Sequence, residues 1–236
     1  AAKLITDRTK AIALVSPNNP CGVEYPAETL RAFMDLARTK GIALIVDETY
    51  RDFDSRTGAP HDLFSAGDWD DTLIQLYSFS KAYRLTGHRV GAVIAGTDRL
   101  AEIEKFLDTV TICPNQLGQR AALWGMQHLG DWLASERLEI LDRRAAINEN
   151  FHVLADKGWE LLGCGAYFAY VKHPFAMSSA DLAPLLVKEA GVLLLPGTMF
   201  MPSDLPGGES QLRIAFANID RAGVVTLFNR LSSLSL

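Results

Sequence analysis

Three short apolar runs in this sequence each end in side chains able to do chemistry. Ala11–Val15 leads into Ser16-Pro-Asn-Asn-Pro-Cys-Gly22, which carries Asn19. Residues 42–46 (IALIV) lead into Asp47-Glu-Thr-Tyr50, and residues 73–77 (LIQLY) into Ser78-Phe-Ser-Lys81. A primary amine that can shed its proton joins aldehydes as a Schiff base. A carboxylate suits a protonated ring nitrogen, and a phenol and an amide suit a phenolate oxygen. Hydroxyls with an arginine suit a phosphate, the arginine binding through a charge-assisted fork. Each residue also has an ordinary reading alone. Asp47 can cap the next helix, Lys81 can be a solvated charge, and Pro-Asn-Asn-Pro-Cys-Gly is a turn.

The elements that must position these groups follow from the same runs. Apolar runs of five without alternation read as strands buried on both faces, the mark of a parallel sheet covered by helices. Between the first two runs, Ala27–Lys40 is amphipathic and stopped by Gly41, a strand–helix–strand unit. A fourth run, residues 90–96 (VGAVIAG), follows the third too closely for a parallel crossover, so it is expected to return antiparallel and bring Arg89 beside Ser78 and Lys81. In open α/β sheets ligands bind outside the carboxyl ends of the strands. Residues 131–158 lack proline and internal glycine and predict one long helix between two domains. Beyond it, strand-like runs at 166–171, 192–195 and 212–216, with a helix around 179–190, predict a smaller α+β domain. In residues 212–216 Arg213 alternates with Leu212, Ile214 and Phe216 and so faces away from them, towards either a cleft or solvent. The expected division is residues 1–140 and residues 141–236.

Composition sets outer bounds. With 236 residues, 48% apolar and 22% charged, the chain is expected to be a soluble globular protein rather than a disordered one. No uncharged apolar run approaches a membrane span. A net charge of −5 in mixed order argues against a nucleic-acid scaffold. Cys21, Cys113 and Cys164 are far apart and odd in number, which favours a reduced, cytoplasmic setting. His61, His88, His128, His152 and His173 have no partners at metal spacing, so no metal is expected.

One ligand asks for an amine, a carboxylate, a phenol, an amide and a guanidinium together. A pyridine aldehyde bearing a phenol and a phosphate is pyridoxal 5′-phosphate, PLP. At these residues the chain resembles the class I/II aminotransferases of PLP fold type I. The resemblance rests on Ser16-Pro-Asn-Asn-Pro-Cys-Gly22, Asp47-Glu-Thr-Tyr50, Ser78-Phe-Ser-Lys-Ala-Tyr-Arg-Leu-Thr-Gly-His-Arg-Val-Gly91 and Gln211-Leu-Arg-Ile-Ala-Phe216. It implies an α/β fold. The large domain would be three-layered, α/β/α and PLP-binding, with a mostly parallel sheet and one antiparallel strand. A smaller α+β C-terminal domain would complete it.

The resemblance also implies roles. Lys81 would carry the cofactor as a Schiff base and then act as general base at the substrate α-carbon. Asp47 would pair with the pyridinium nitrogen, and Asn19 and Tyr50 would hydrogen-bond the phenolate oxygen. Ser78 and Arg89 would hold the phosphate, with Ser80 a further candidate. Arg213 would bind the substrate carboxylate, and Asn19 is a further substrate-binding candidate. The implied activity is transfer of an amino group from an L-amino acid to a 2-oxo acid in a homodimer, with neither nucleic acid nor membrane as partner. Residues 111–115 (TICPN) carry no cation, which favours neutral or aromatic over dicarboxylic substrates. Family members carry a further segment ahead of the Asn19 motif, including a helix N-terminus for the phosphate and an aromatic that stacks on the ring. No match to it occurs here, so the chain is expected to be a C-terminal portion that binds PLP poorly alone. A C–S β-lyase on the same scaffold, which would share nearly all these residues, and an aminotransferase-like sensor domain of a transcription regulator, which would keep the lysine but use PLP for signalling, stay open as alternatives.

Overall fold

The computed structural model describes residues 1–234. The chain forms two compact units, one of Ala1–Pro17 with Glu24–Glu136 and the other of Asn18–Val23 with Arg137–Leu236.

The first unit is built on a four-stranded sheet of β1 (Ala11–Val15), β2 (Ala43–Asp47), β3 (Leu73–Ser78) and β4 (Gly91–Ile94), in that spatial order. β1–β2 and β2–β3 are parallel, and β4 returns antiparallel to β3 with Ser78 opposite Gly91. Helix α1 (Ala27–Lys40) connects β1 to β2. Its buried Leu30, Met34 and Ala37 recur at helical spacing and pack with Leu44, Val46, Leu63 and Leu73. Full burial of a leucine such as Leu30 or Leu44 contributes about 2 kcal/mol. The helix ends at Gly41, which adopts the left-handed conformation (φ 63°) that disfavours a side chain. Ile42 still donates its amide to Ala37 O, so β2 begins one residue later than the apolar run does.

Burial of the strands departs from the reading on both faces. β2 is mostly buried, but β1 is only half-buried with Ala13 exposed, and β4 exposes Gly91 and Val93. Both are edge strands, and an edge strand has a neighbour on one side only. After β3 the chain makes a single helical turn, α2 (Phe79–Ala82). Beyond β4 come α3 (Thr97–Val110), α4 (Gln116–His128) and α5 (Gly130–Asn150), whose residues from Arg137 on belong to the second unit.

The second unit continues through α6 (His152–Ala155) into an antiparallel sheet of β5 (Glu160–Gly165), β6 (Phe168–Lys172), β7 (Leu195–Pro196) and β8 (Gln211–Ala215), ordered β5-β6-β8-β7. α7 (Ser179–Leu185) runs on as a π-helical segment, Leu186–Ala190, so the 179–190 helix is present but changes pitch. α8 (Arg221–Ser232) follows β8. The single helix expected over 131–158 is divided at Phe151, whose buried ring meets Phe228 edge-on at 5.9 Å, and Gly158 (φ 85°) ends the second piece. Inside lie Leu154, Val171, Leu182, Leu186, Leu212, Phe216 and Val224, all essentially inaccessible. No described helix is long and apolar enough to cross a membrane.

Candidate functional site

In the first unit three strand ends lie in register. Val15 is beside Asp47 and Asp47 beside Leu76, and the pairing runs on past the strands as Ser16 N donates to Asp47 O (3.0 Å) and Glu48 N to Leu76 O (2.9 Å). The half-buried carboxylate of Asp47 uses only Oδ1 within the protein, accepting from Thr49 N (2.9 Å) and Thr49 Oγ1 (2.7 Å). That arrangement pins the turn leading to Tyr50 and leaves Oδ2 without a hydrogen bond among the described residues.

Lys81 stands on α2, whose N-cap is Ser78, with Ser78 Oγ accepting from Ser80 N at 3.3 Å. The half-buried Lys81 makes no ion pair among the described residues, and its Nζ lies 6.0 Å from the centroid of the buried Tyr50 ring. Ser80 is buried, and its carbonyl accepts from Thr86 Oγ1 (2.9 Å). Arg89 lies next to the β3–β4 pairing, where Phe79 N donates to Val90 O (3.2 Å). It has a left-handed backbone (φ 52°), is exposed, and donates from Nη1 to Thr86 O (2.9 Å). Thr86 therefore ties Arg89 to Ser80.

Asn19 and Arg213 belong to the second unit and meet there, Arg213 Nη1 donating to Asn19 Oδ1 at 2.7 Å. The expected alternation along β8 is present: Leu212, Ile214 and Phe216 are buried, whereas Arg213 is half-buried and Ala215 exposed. The Arg213 guanidinium is set over the rings of Phe168 (4.5 Å) and Phe200 (4.7 Å), so it is a held group rather than an ordinary surface charge. Asn19 sits in a tight loop in which Asn18 Oδ1 accepts from Cys21 N (3.1 Å) and Asn18 O from Gly22 N (2.8 Å). Gly22 (φ 71°) is pressed onto β6, and a Cβ there would fall 2.4 Å from Phe168 O. Burial pushes the Cys21 thiol up, which suits a packing residue rather than a nucleophile.

The residues named from the sequence thus fall into two groups. Asp47, Tyr50, Ser78, Ser80, Lys81 and, through Thr86, Arg89 surround the ends of β2 and β3, while Asn19 and Arg213 pair in the second unit. Sequence reasoning passed over three things. Phe200 as a support for Arg213 has no local signal. The phenol of Tyr77, bonded to Asp52 Oδ2 at 2.6 Å and pushed up by burial and then by that carboxylate, was read only as strand. Glu48 drew no reading of its own within Asp47-Glu-Thr-Tyr50, yet it is buried, hydrogen-bonded by Gln75 and Arg51 and in close contact with His61.

Residues 1–231 match the family described as aminotransferase class I and II. The aspartate aminotransferase of Sulfolobus acidocaldarius is 25% identical over 228 residues, covering 93% of this chain and 56% of the relative. The aromatic-amino-acid aminotransferase 2 of Thermococcus litoralis is 26% identical over 217 residues, covering 91% and 54%. Among solved structures, the aromatic aminotransferase of Pyrococcus horikoshii OT3 superimposes with a TM-score of 0.85 at 25% identity, over 98% of this chain and 61% of that one. The chain spans just over half the length of these relatives. With a family match that runs from the first residue almost to the last, the chain is a member of the class I and II aminotransferases.

Proposed function

We propose that this chain provides the cofactor and substrate groups of a PLP-dependent aminotransferase, one that moves an amino group from a neutral or aromatic L-amino acid to a 2-oxo acid. One observation carries the reading. Lys81 is an amine, half-buried and free of any ion pair among the described residues, set over the Tyr50 ring beside the strand ends that bear Asp47 and Ser78. The donor set fits PLP, on which the class I and II aminotransferases depend. Asp47 Oδ2 is available for a ring N–H, Tyr50 offers a phenol, and Ser78, Ser80 and Arg89 offer two hydroxyls and a guanidinium.

In this reading Lys81 Nζ would hold the cofactor and, once freed by the substrate amine, would carry a proton from the substrate α-carbon to the cofactor carbon that had borne the aldehyde. Bound there, the cofactor supplies the electron sink for the charge left on that carbon. Asp47 keeps the ring nitrogen protonated, Asn19 and Tyr50 orient the phenolate oxygen, and Arg213 binds the substrate carboxylate. In this scheme the cofactor-binding domain is the part expected over residues 1–140 and the small domain the part expected over 141–236, apart from Asn18–Val23 and residues 137–140, which belong to the second unit. The absence of a cation in residues 111–115 supports neutral or aromatic substrates. A cytoplasmic homodimer is part of the proposal. Phe106, Val110, Ile112, Leu117 and Trp124 are all more than half exposed along α3, α4 and the loop between them, which is apolar surface suited to a partner. Cys21, Cys113 and Cys164 form no disulfide, which suits a reducing compartment.

The test is direct. The full-length protein, incubated with PLP, is expected to gain the near-visible absorbance of lysine-bound cofactor and to convert a neutral or aromatic amino acid only when a 2-oxo acid is supplied. Release of pyruvate and ammonia without an acceptor would replace transfer by β-elimination, and absence of any cofactor absorbance would overturn the reading.

A further inference from the structure

Next to Asp47 lies a charged group that no step above uses. Glu48 is 1% exposed, and a carboxylate is tolerated at that depth only when paired and hydrogen-bonded. Its Oε1 is 3.1 Å from His61 Nε2, and its Oε2 accepts from Arg51 Nη1 at 3.3 Å and also from Gln75 Nε2. His61 is itself buried, and its Nδ1 accepts from Leu63 N at 3.3 Å, while its Nε2 lies within ion-pair distance of Glu48 Oε1 without the alignment of a hydrogen bond. The main chain is held as firmly, with Glu48 N donating to Leu76 O (2.9 Å) and Arg51 N to Glu48 O (3.0 Å). Glu48 is therefore fixed to β3 through Gln75 and Leu76, to the 61–63 loop through His61, and to the turn after Tyr50 through Arg51.

Stability alone does not account for a carboxylate in this place. Replacing a buried ionic group by well-packed apolar side chains is often neutral or stabilising, so what such a network adds is direction. The direction here is local. Along an extended chain successive side chains face opposite ways, so Glu48 grips from behind the face on which Asp47 stands, and Tyr50 lies two residues further on.

We infer that Glu48, hydrogen-bonded by Gln75 and Arg51 and in close contact with His61, is a positioning residue that fixes the aim of Asp47 and Tyr50. The targets of that aim, the cofactor's ring nitrogen and phenolate oxygen, rest on the function proposed above, whereas the anchoring itself stands without it.

The experiment compares the full-length protein with His61→Phe, which removes the polar contact to Glu48 Oε1, and His61→Gln, which restores a polar group at that position. Amide exchange of residues 47–53 is followed in the apoprotein, PLP affinity by absorbance titration, and the asymmetry of the bound cofactor by visible circular dichroism. In His61→Phe, exchange at 47–53 is expected to speed up and PLP to bind roughly 10- to 100-fold more weakly, the range found when outer partners of a binding group are removed. The dichroic band should change and the unfolding midpoint should fall, because a buried carboxylate loses a partner. Exchange in the first unit outside residues 47–53 and 61–63 should stay near wild type, and His61→Gln should recover most of these effects. Unaltered exchange and affinity in His61→Phe would overturn the inference. So would a loss matched by faster exchange throughout the first unit, because that is destabilisation without aim. Should His61→Phe not fold, Glu48→Gln, which keeps the size and one acceptor, is read by the same three measurements. A wild-type protein that binds no PLP overturns the proposed function and the assigned targets, while the exchange comparison still decides whether His61 and Glu48 hold the segment.

Discussion

Arg213 and Asn19, 194 residues apart in sequence, are joined by a 2.7 Å hydrogen bond from Nη1 to Oδ1, and the same guanidinium rests over the rings of Phe168 and Phe200. One donor is thus committed to orientation and the guanidinium is packed against two rings, which leaves a planar group whose direction is set before any ligand arrives. Pre-setting of this kind favours two-point recognition of a carboxylate. Arg213→Lys keeps the charge but loses the fork. It is expected to raise KM for amino acid and oxo acid alike by about 10- to 100-fold, on the scale of one lost charge-assisted hydrogen bond, with PLP absorbance unaltered. Steady-state kinetics beside an absorbance spectrum check this.

Lys81→Ala should abolish the near-visible absorbance of lysine-bound PLP and reduce turnover to background. The apoprotein's unfolding midpoint should barely move, since Lys81 is half-buried and makes no ion pair among the described residues. Retained absorbance would mean that the reactive amine lies elsewhere.

Gly22→Ala places a methyl group 2.4 Å from Phe168 O at a backbone φ of 71°. The loop must move off β6 or the substituted residue must leave its conformation, at a cost of about 1–3 kcal/mol. A lowered midpoint in denaturant unfolding checks the cost. Because Asn19 lies in the displaced loop, weaker substrate binding should accompany it.

His173 is buried among the rings of Trp159 and Phe175, with Nε2 3.3 Å from Glu209 O, and burial lowers its affinity for a proton. The folded imidazole then takes up a proton at lower pH than the unfolded one. Its contribution is fully present above the ordinary histidine range, near pH 6.5, and is lost as the solution is acidified below it. Denaturant unfolding at pH 8 and pH 5 should show this loss, and His173→Asn should flatten the difference.

The large-domain sheet was readable because each apolar run is followed by a clear breaker and the helix between the first two has both period and stop. The antiparallel return of β4 followed from loop length alone. Other elements gave weaker signals. β5 holds Gly163 and Gly165 and carries a bulge between Leu161 and Gly163, where the backbone of Cys21 comes within van der Waals distance, so it resembles a turn rather than a strand. β7 is cut to two residues at Pro196. The reactive groups were legible because their chemistry is distinctive and each closes an apolar run. The Glu48–His61–Gln75 cluster was not, because it is assembled from three segments whose meeting only the folded chain displays.

The excursion of Asn18–Val23 into the second unit means that the backbone passes between the two units three times, after Pro17, after Val23 and within α5 after Glu136. A polypeptide starting at Arg137 would lack the strip whose Cys21 and Gly22 backbone lies against Gly163, Gly165 and Phe168, and Arg213 would lose its Asn19 acceptor. Scission inside α5 should therefore yield halves that recombine rather than two independent folds, and adding back a short peptide bearing residues 18–23 should complement the C-terminal half.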